Sequence, residues 1–84
     1  MHDLHAADLI IKLVLEKARE NKLKSVKKIV LELGSIVEHG AEINPENLEF
    51  NLKLLASDTI AVKADIEIRL VKGNAWKLVE IEGE

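Results

Sequence analysis

The sequence predicts an α+β domain in which two helices pack on one face of a three-stranded mixed sheet, in the order helix, strand, helix, strand, strand. Two patterns predict this class. Apolar residues recur at helical spacing in two segments, and other segments alternate apolar and charged residues as half-buried strands do. Placing both helices over one face of the sheet brings all the apolar surfaces into a single core.

The first helix is predicted to begin at Leu4 and to end near Glu20. Asp3 precedes it at the N-cap position, where a carboxylate accepts hydrogen bonds from free backbone amides. Asn21 is expected to end the helix in a left-handed conformation. The apolar stripe consists of Leu4, Ala7, Ile11, Val14, Leu15 and Ala18.

The first strand is predicted over 26–33, and Gly34 ends it. Residues 35–43 are predicted to form a loop. Asn44-Pro45-Glu46 then starts the second helix, because a capping residue is followed by proline at the first helical position and an acid in the first turn. This helix should end near Ala56. Its inward residues are predicted to be Leu48, Leu52 and Leu55, with Phe50 and Leu54 beside them.

The second strand is predicted over 62–70, where five apolar residues alternate with four charged ones. Lys72-Gly73-Asn74 predicts a tight hairpin into a last strand over 75–82. In that strand the apolar residues switch faces, which indicates either a bulge or a strand covered on both sides. The first two strands should be parallel through a right-handed crossover, and the third antiparallel.

Composition restricts the function. The chain has 84 residues, a net charge of −3 and no cysteine, so we expect one domain over 1–84 and no zinc–thiolate site or disulfide. Interspersed charges argue against nucleic acid, and no apolar run approaches a membrane span. The start of the chain lacks a leader pattern, which predicts the cytoplasm. The motifs of catalytic sites and phosphate loops are lacking, so an enzyme is not expected.

Met1-His2 is the candidate metal-binding element. The Met1 amine, the His2 amide and the His2 imidazole place three nitrogen donors next to one another, an arrangement suited to square-planar Ni(II) or Cu(II). The amine and imidazole must lose protons with pKa values of about 7.7–8.0 and about 6.5, so affinity should fall in mild acid. The alternative is a terminal histidine without a ligand role, as most histidines are.

Three nearby residues are weaker candidates. Asp3 can act as an N-cap or can orient the imidazole. His5 lies one helical turn beyond His2 and could face the same metal. The simpler interpretation is that His5 lies on a solvated face of the helix. His39 can supply a fourth nitrogen, or it can be an ordinary surface residue. Chain direction predicts that His2, His39, Asn44 and the 72–74 turn lie at one end of the domain.

The chain resembles HypA-type nickel chaperones of hydrogenase and urease maturation. The most specific matching stretch is Met1-His2-Asp3. Framework stretches follow in family order over nearly the whole chain: VKKIVLELG at 26–34, NPENLEF at 44–50, SDTIAVKA at 57–64 and GNAWKLVEIE at 73–82. The resemblance implies the same α+β fold, with Ni(II) held by Met1 and His2 and an acid at position 3, here Asp3 in place of the usual glutamate.

The sequence also departs from the family pattern. The resemblance implies a second domain built on zinc and two Cys-x-x-Cys pairs, and this sequence contains no cysteine. We therefore expect no zinc, a hairpin at 72–74 in place of the zinc domain, and a slightly longer loop at 36–42 in which His39 could compensate as a ligand. The implied partners are a maturation GTPase or a nickel-enzyme subunit, and the exposed sheet edges leave room for a homodimer.

Two functions follow. The first is a metallochaperone-like accessory protein that holds Ni(II) at Met1 and His2 and passes it to a maturing nickel enzyme by ligand exchange. The alternative is a metal-free interaction or dimerisation module that keeps the same fold.

Overall fold

The computed structural model describes the backbone of residues 3–38 and 41–84, and the side chains of 6–36 and 42–84. The elements in chain order are α1 (Asp3–Glu20), β1 (Val26–Leu33), β2 (Val37–Glu38), β3 (Ala41–Glu42), α2 (Pro45–Ala56), β4 (Asp65–Leu70) and β5 (Trp76–Gly83). The predicted α+β class and the order of the main elements are confirmed. The predicted loop 35–43 contains β2 and β3, which pair as a short antiparallel ribbon.

The main sheet has the strand order β4-β1-β5, with β4 parallel and β5 antiparallel to the central β1. The predicted orientations are correct, but the predicted hairpin is wrong because β4 and β5 are not neighbours. The connection 71–75 instead crosses the end of β1, where Gly34 N donates to Ala75 O at 2.9 Å and Ser35 N to Gly73 O at 2.8 Å. A turn signal is local and does not specify which strand the returning chain joins.

The core lies between the helices and one face of this sheet. Its fully buried large residues come from α1, β1 and α2, and they are led by Ile10, Val14, Ile29, Leu31, Leu33, Leu48 and Leu52. Val30 is the exception, because it is 2% exposed yet belongs to the opposite, open face of the sheet. Its register partners there are Glu67 and Glu80, so the central strand is shielded on both faces.

A bulge explains the irregular pattern of the last strand. Val30 pairs with Glu80 and Leu31 pairs with Leu78, which leaves Val79 as an extra residue. The face switches at that point, so Trp76, Leu78 and Ile81 all pack against the core while Val79 is exposed. Of the two interpretations of the sequence, the bulge is confirmed.

The two helices differ in how well their ends were predicted. Asn44 caps α2 as predicted, since its Oδ1 accepts from Glu46 N at 2.8 Å and from Asn47 N at 3.2 Å. At the end of α1 the left-handed residue is Lys22, with φ 58°, and not Asn21. Lys22 N bonds Arg19 O and Leu23 N bonds Ala18 O, which is the Schellman pattern one residue later than expected.

Two further expectations are wrong. β4 begins at Asp65 rather than Val62, because residues 57–63 form turns in which Thr59 Oγ1 bonds to Ala56 O and accepts from Ala61 N. Phe50 and Leu54 do not join the core but are 62% and 53% exposed. Leu48, Leu52 and Ala56 already fill the buried side of α2. In the part of the chain described, neither helix combines the length and apolarity needed to cross a bilayer.

Candidate metal centre

Three chain segments meet where β1 ends, and we call this region the ribbon end: residues 33–36, 42–45 and 70–75. A recess of about 190 Å³ lies between them. Its lining residues are Leu33, Gly34, Ser35, Glu42, Ile43, Pro45, Leu70 and Val71. The exit of β1, the ribbon, the start of α2 and the end of β4 are therefore adjacent. The predicted proximity of Asn44 to the 72–74 turn is supported by this arrangement.

Backbone contacts fix the 71–75 connection over the end of β1. Val71 N donates to Leu33 O at 3.0 Å, which extends the β1–β4 ladder by one step. A Cβ atom at Gly34 would lie 2.6 Å from Gly73 O, closer than side-chain carbons approach backbone oxygens. Glycine at 34 is therefore what allows the connection to cross so close to β1.

The 35–43 segment is tied to the same end by its base. Ile43 N donates to Ile36 O at 2.8 Å, and Ser35 Oγ donates to Glu42 Oε1 at 3.2 Å. β2 and β3 extend from this base, with Val37 paired to Glu42 and Glu38 paired to Ala41. The segment thus leaves the sheet and returns to it at one point, and positions 39 and 40 connect the two short strands.

Helix α1 also begins toward the ribbon end. Its last residues lie at the opposite end of the sheet, where Asn21 lines a recess with Ile81, Glu82 and Gly83, and Gly83 pairs with Val26 at the start of β1. Eighteen helical residues span about 27 Å, and the eight residues of β1 span about 26 Å. Since the buried residues of α1 run along the sheet from Ala6 to Ala18, its first turn lies at the end where β1 exits.

The structure describes one of the four predicted ligand residues, and only its backbone. Asp3 is the first residue of α1, so the helix begins one position earlier than predicted. Met1, His2 and His39 lie outside the described residues, and so does the predicted proximity of the two histidines. The side chain of Asp3 is likewise outside the description.

Within residues 6–36 and 42–84, no group of three or more histidine or acidic side chains is placed to hold a metal ion. Glu42 in β3 is a described acidic residue of the ribbon, and its carboxylate accepts a hydrogen bond from Ser35. The predicted nitrogen ligands Met1, His2 and His39 all lie outside this range, so they stay predictions. The sequence interpretation missed the Ser35–Glu42 contact, because a bond across a loop has no signal in residue spacing.

The fold is therefore an α+β domain in which both helices lie on one face of the sheet and both start at the ribbon end. Comparison with known proteins identifies the family to which this domain belongs. A family described as hydrogenase/urease nickel incorporation, metallochaperone, hypA, matches residues 1–77. The chain therefore belongs to the HypA family.

Individual relatives agree with this assignment. A hydrogenase maturation factor HypA of Legionella pneumophila (strain Lens) is 35% identical over 75 residues, covering 89% of this chain and 63% of that protein. The protein of that name from Methanobrevibacter smithii is 40% identical over 68 residues, covering 81% of this chain and 51% of that protein. The chain thus spans less than two thirds of the length of these relatives.

A solved structure has the same fold. The solution structure of the Ni metallochaperone HypA from Helicobacter pylori superposes with a TM-score of 0.78 at 13% identity, covering 98% of this chain and 97% of that one. Similarity at this level of identity supports the architecture. It does not transfer ligands from one chain to the other.

Proposed function

We propose that this chain is a nickel metallochaperone that binds Ni(II) through the Met1 amine, the His2 backbone nitrogen and the His2 imidazole. The observation that carries the proposal is the family match, which begins at residue 1 and so includes Met1-His2. Three adjacent nitrogen donors form a nearly planar chelate, which suits Ni(II) and Cu(II) better than ions that prefer oxygen or thiolate ligands.

The fold supports the proposal through the position of α1, which begins directly after the two residues of the proposed chelate. α1 begins at Asp3 and its first turn lies toward the ribbon end. The base of the ribbon lies at the same end, held by Ser35 and Glu42. His39, which follows β2 in the sequence, is proposed as the fourth nitrogen donor, and Asp3 is proposed to lie beside the metal or to orient the imidazole.

The proposed role requires no covalent chemistry. Nickel is cargo, held by ligands that a recipient protein can replace one at a time. The proposed recipient is a nickel enzyme under maturation or its GTPase partner, reached by direct protein contact. Because the amine, the backbone amide and the imidazole must each lose a proton to bind the metal, lowering the pH from about 8 to about 6 should promote release.

The test is a calorimetric nickel titration of three chains at pH 8. One begins with a free Met1 amine, one is acetylated at that amine, and one carries His39→Ala. Acetylation removes the terminal amine from the chelate without changing any side chain, so we expect at least about hundredfold weaker binding, more than loss of a supporting residue costs. Equal binding by the first two chains would contradict the proposed chelate. If His39→Ala keeps the same nickel affinity and absorption spectrum, His39 is not a ligand, but the chelate of Met1 and His2 is unaffected by that result.

A further inference from the structure

The two edges of the sheet differ in their protection against pairing with another strand. β5 is interrupted by the bulge at Val79, a common device against edge-to-edge association. β4 pairs with β1 in unbroken register over six residues, and the segment Asp65–Leu70 contains no proline, lysine or bulge. Within the described part of the chain, the outer edge of β4 is not covered by another strand.

The hydrogen-bonding pattern identifies which backbone groups this edge presents. Val71 N bonds Leu33 O, so the amide of residue 71 points toward β1. Backbone groups alternate sides along a strand, and those of residues 65, 67 and 69 therefore also point inward. Ile66, Ile68 and Leu70 direct their N–H and C=O groups outward, where a further strand can bind them.

The side chains of β4 are complementary to a second copy of the same strand. If two copies pair antiparallel with Ile68 opposite Ile68, the two residues exchange both backbone hydrogen bonds. Glu67 of each copy then faces Arg69 of the other. This is a pair without backbone hydrogen bonds, in which facing side chains come closest. Glu67 and Arg69 already bond each other within one chain, so both charged groups lie on the open face.

The helix-side residues agree with this register. Ile66 of each copy faces Leu70 of the other, and Leu70 is 70% exposed in the single chain, more than any other large apolar residue described. Its neighbour Val71 is 39% exposed. Pairing at β4 would cover apolar surface on one face of the sheet while joining opposite charges on the other.

We propose that the β4 edge is a self-association surface, at which two copies of the chain join their sheets into one of six strands. The contact is limited to one short strand on each side. It therefore belongs to the small class of specific interfaces, below about 1,200 Å² in total, and a dissociation constant on the order of 10 μM is expected. The association needs no metal and is independent of the proposed nickel site.

The test is sedimentation equilibrium of the metal-free chain between 1 μM and 1 mM. It compares variants in which the charge of Glu67 or Arg69 is reversed, because these residues face each other across the proposed dimer. Glu67→Arg alone places like charges opposite each other, and so does Arg69→Glu alone. Each variant should weaken self-association at least about tenfold. In an equimolar mixture of the two variants every facing pair is again opposite in charge, and dimer formation should return to within about threefold of the original.

A control matched to Arg69→Glu is Lys77→Glu, which makes the same change from a basic to an acidic side chain on the other edge strand and should leave the dissociation constant unchanged. Circular dichroism checks that each variant is folded. A chain that stays monomeric up to 1 mM would overturn the proposal. So would a dimer indifferent to both charge variants, or a mixture that fails to restore it.

Hydrogen exchange supplies a second, backbone-level test. The amides of Ile66, Ile68 and Leu70 should gain about fivefold to sevenfold protection as the concentration rises from 10 μM to 1 mM, because pairing occupies them and the free monomer falls from about half to about 7% of the chain at a dissociation constant of about 10 μM. The amides of Glu67 and Arg69, which already point toward β1, should change much less. Equal change across both sets would contradict the predicted register.

Discussion

The two ends of the sheet are built differently. At the end where β1 begins, the chain closes on itself through backbone bonds. Val26 N donates to Ile60 O at 2.9 Å, and Glu84 N donates to Ser25 O at 3.0 Å. We call this the closed end. At the ribbon end the chain instead extends away from the sheet between β1 and α2 and returns to it, and both helices start there.

This difference separates stability from the proposed binding of nickel. Residues at the closed end fasten the last strand and the end of α1 to the core, and the described side chains there include no metal-binding group. The ribbon end combines backbone fastenings with the chain segments that carry the candidate nitrogen donors. Substitutions at the closed end should change only stability, whereas substitutions at the ribbon end can change both.

The largest expected effect is on nickel affinity. His2→Ala removes one ligand of the proposed chelate and prevents square-planar coordination by three adjacent nitrogens. We expect at least about hundredfold weaker Ni(II) binding, a loss of about 2.7 kcal/mol or more, measured by competition with a coloured chelator. His5→Ala is the matched control and should bind as the unchanged chain does. If the two variants bind nickel equally well, His2 is not a nickel ligand and the proposed chelate is wrong.

Gly34→Ala should cause the largest loss of stability at the ribbon end. The added Cβ would lie 2.6 Å from Gly73 O and 3.0 Å from Ala75 O, so the 71–75 connection must move away from β1. The free energy of unfolding should fall by about 1–3 kcal/mol, the usual cost of forcing atoms into a packed site. Urea denaturation measures it. A loss below about 0.5 kcal/mol would show that this crossing is loosely held.

Lys22→Gly should stabilise the closed end. Lys22 has φ 58°, a left-handed conformation that costs a residue with a side chain about 1 kcal/mol more than glycine. We expect the urea midpoint to rise by an amount corresponding to about 0.5–1 kcal/mol, with nickel affinity unchanged. A change in nickel affinity in this variant would break the proposed separation between the two ends.

The smallest effect is expected from Glu80→Gln on the open face. Hydrogen bonding and repulsion from Glu82 raise the pKa of Glu80 above its ordinary value of 4.5. A raised carboxyl pKa favours the protonated form in the folded chain, so its stabilising contribution is complete below the ordinary value and is lost as pH rises through the raised one. The variant should therefore be slightly more stable than the unchanged chain at pH 7, and this advantage should disappear at pH 4. If the difference in the free energy of unfolding between the variant and the unchanged chain is the same at both pH values, it does not come from the Glu80–Glu82 pair.

The sequence predicted features that depend on neighbouring residues. The cap of α2 follows from Asn44-Pro45-Glu46, and β1 follows from a run of apolar residues that ends at glycine. The end of α1 near Glu20 is confirmed, but the left-handed residue after it was placed one position too early. Both Asn21 and Lys22 are compatible with the local pattern, and packing of Leu23 against the core decides between them.

Features that depend on distant contacts were predicted less well. The alternation from Val62 to Leu70 is continuous in sequence, yet the hydroxyl of Thr59 stabilises turns that delay the start of β4 to Asp65. The turn at 72–74 indicated that the chain reverses, but not that it crosses β1. Among the candidate ligands, the pattern Met1-His2 specifies the chemistry locally, whereas the sequence cannot place His39 beside it, because that placement depends on the path of the whole 35–43 segment.

The most direct test is a Ni(II) titration of the ¹⁵N-labelled chain at pH 7.5, followed by amide NMR signals. Square-planar Ni(II) is diamagnetic, so signals should stay sharp and saturate at one equivalent of metal. We predict shifts in the first turn of α1 and at Ser35 and Glu42, with Lys22 and Gly83 at the closed end unmoved. Broadened signals, shifts centred on the closed end, or no response to nickel would contradict a metal centre at the ribbon end.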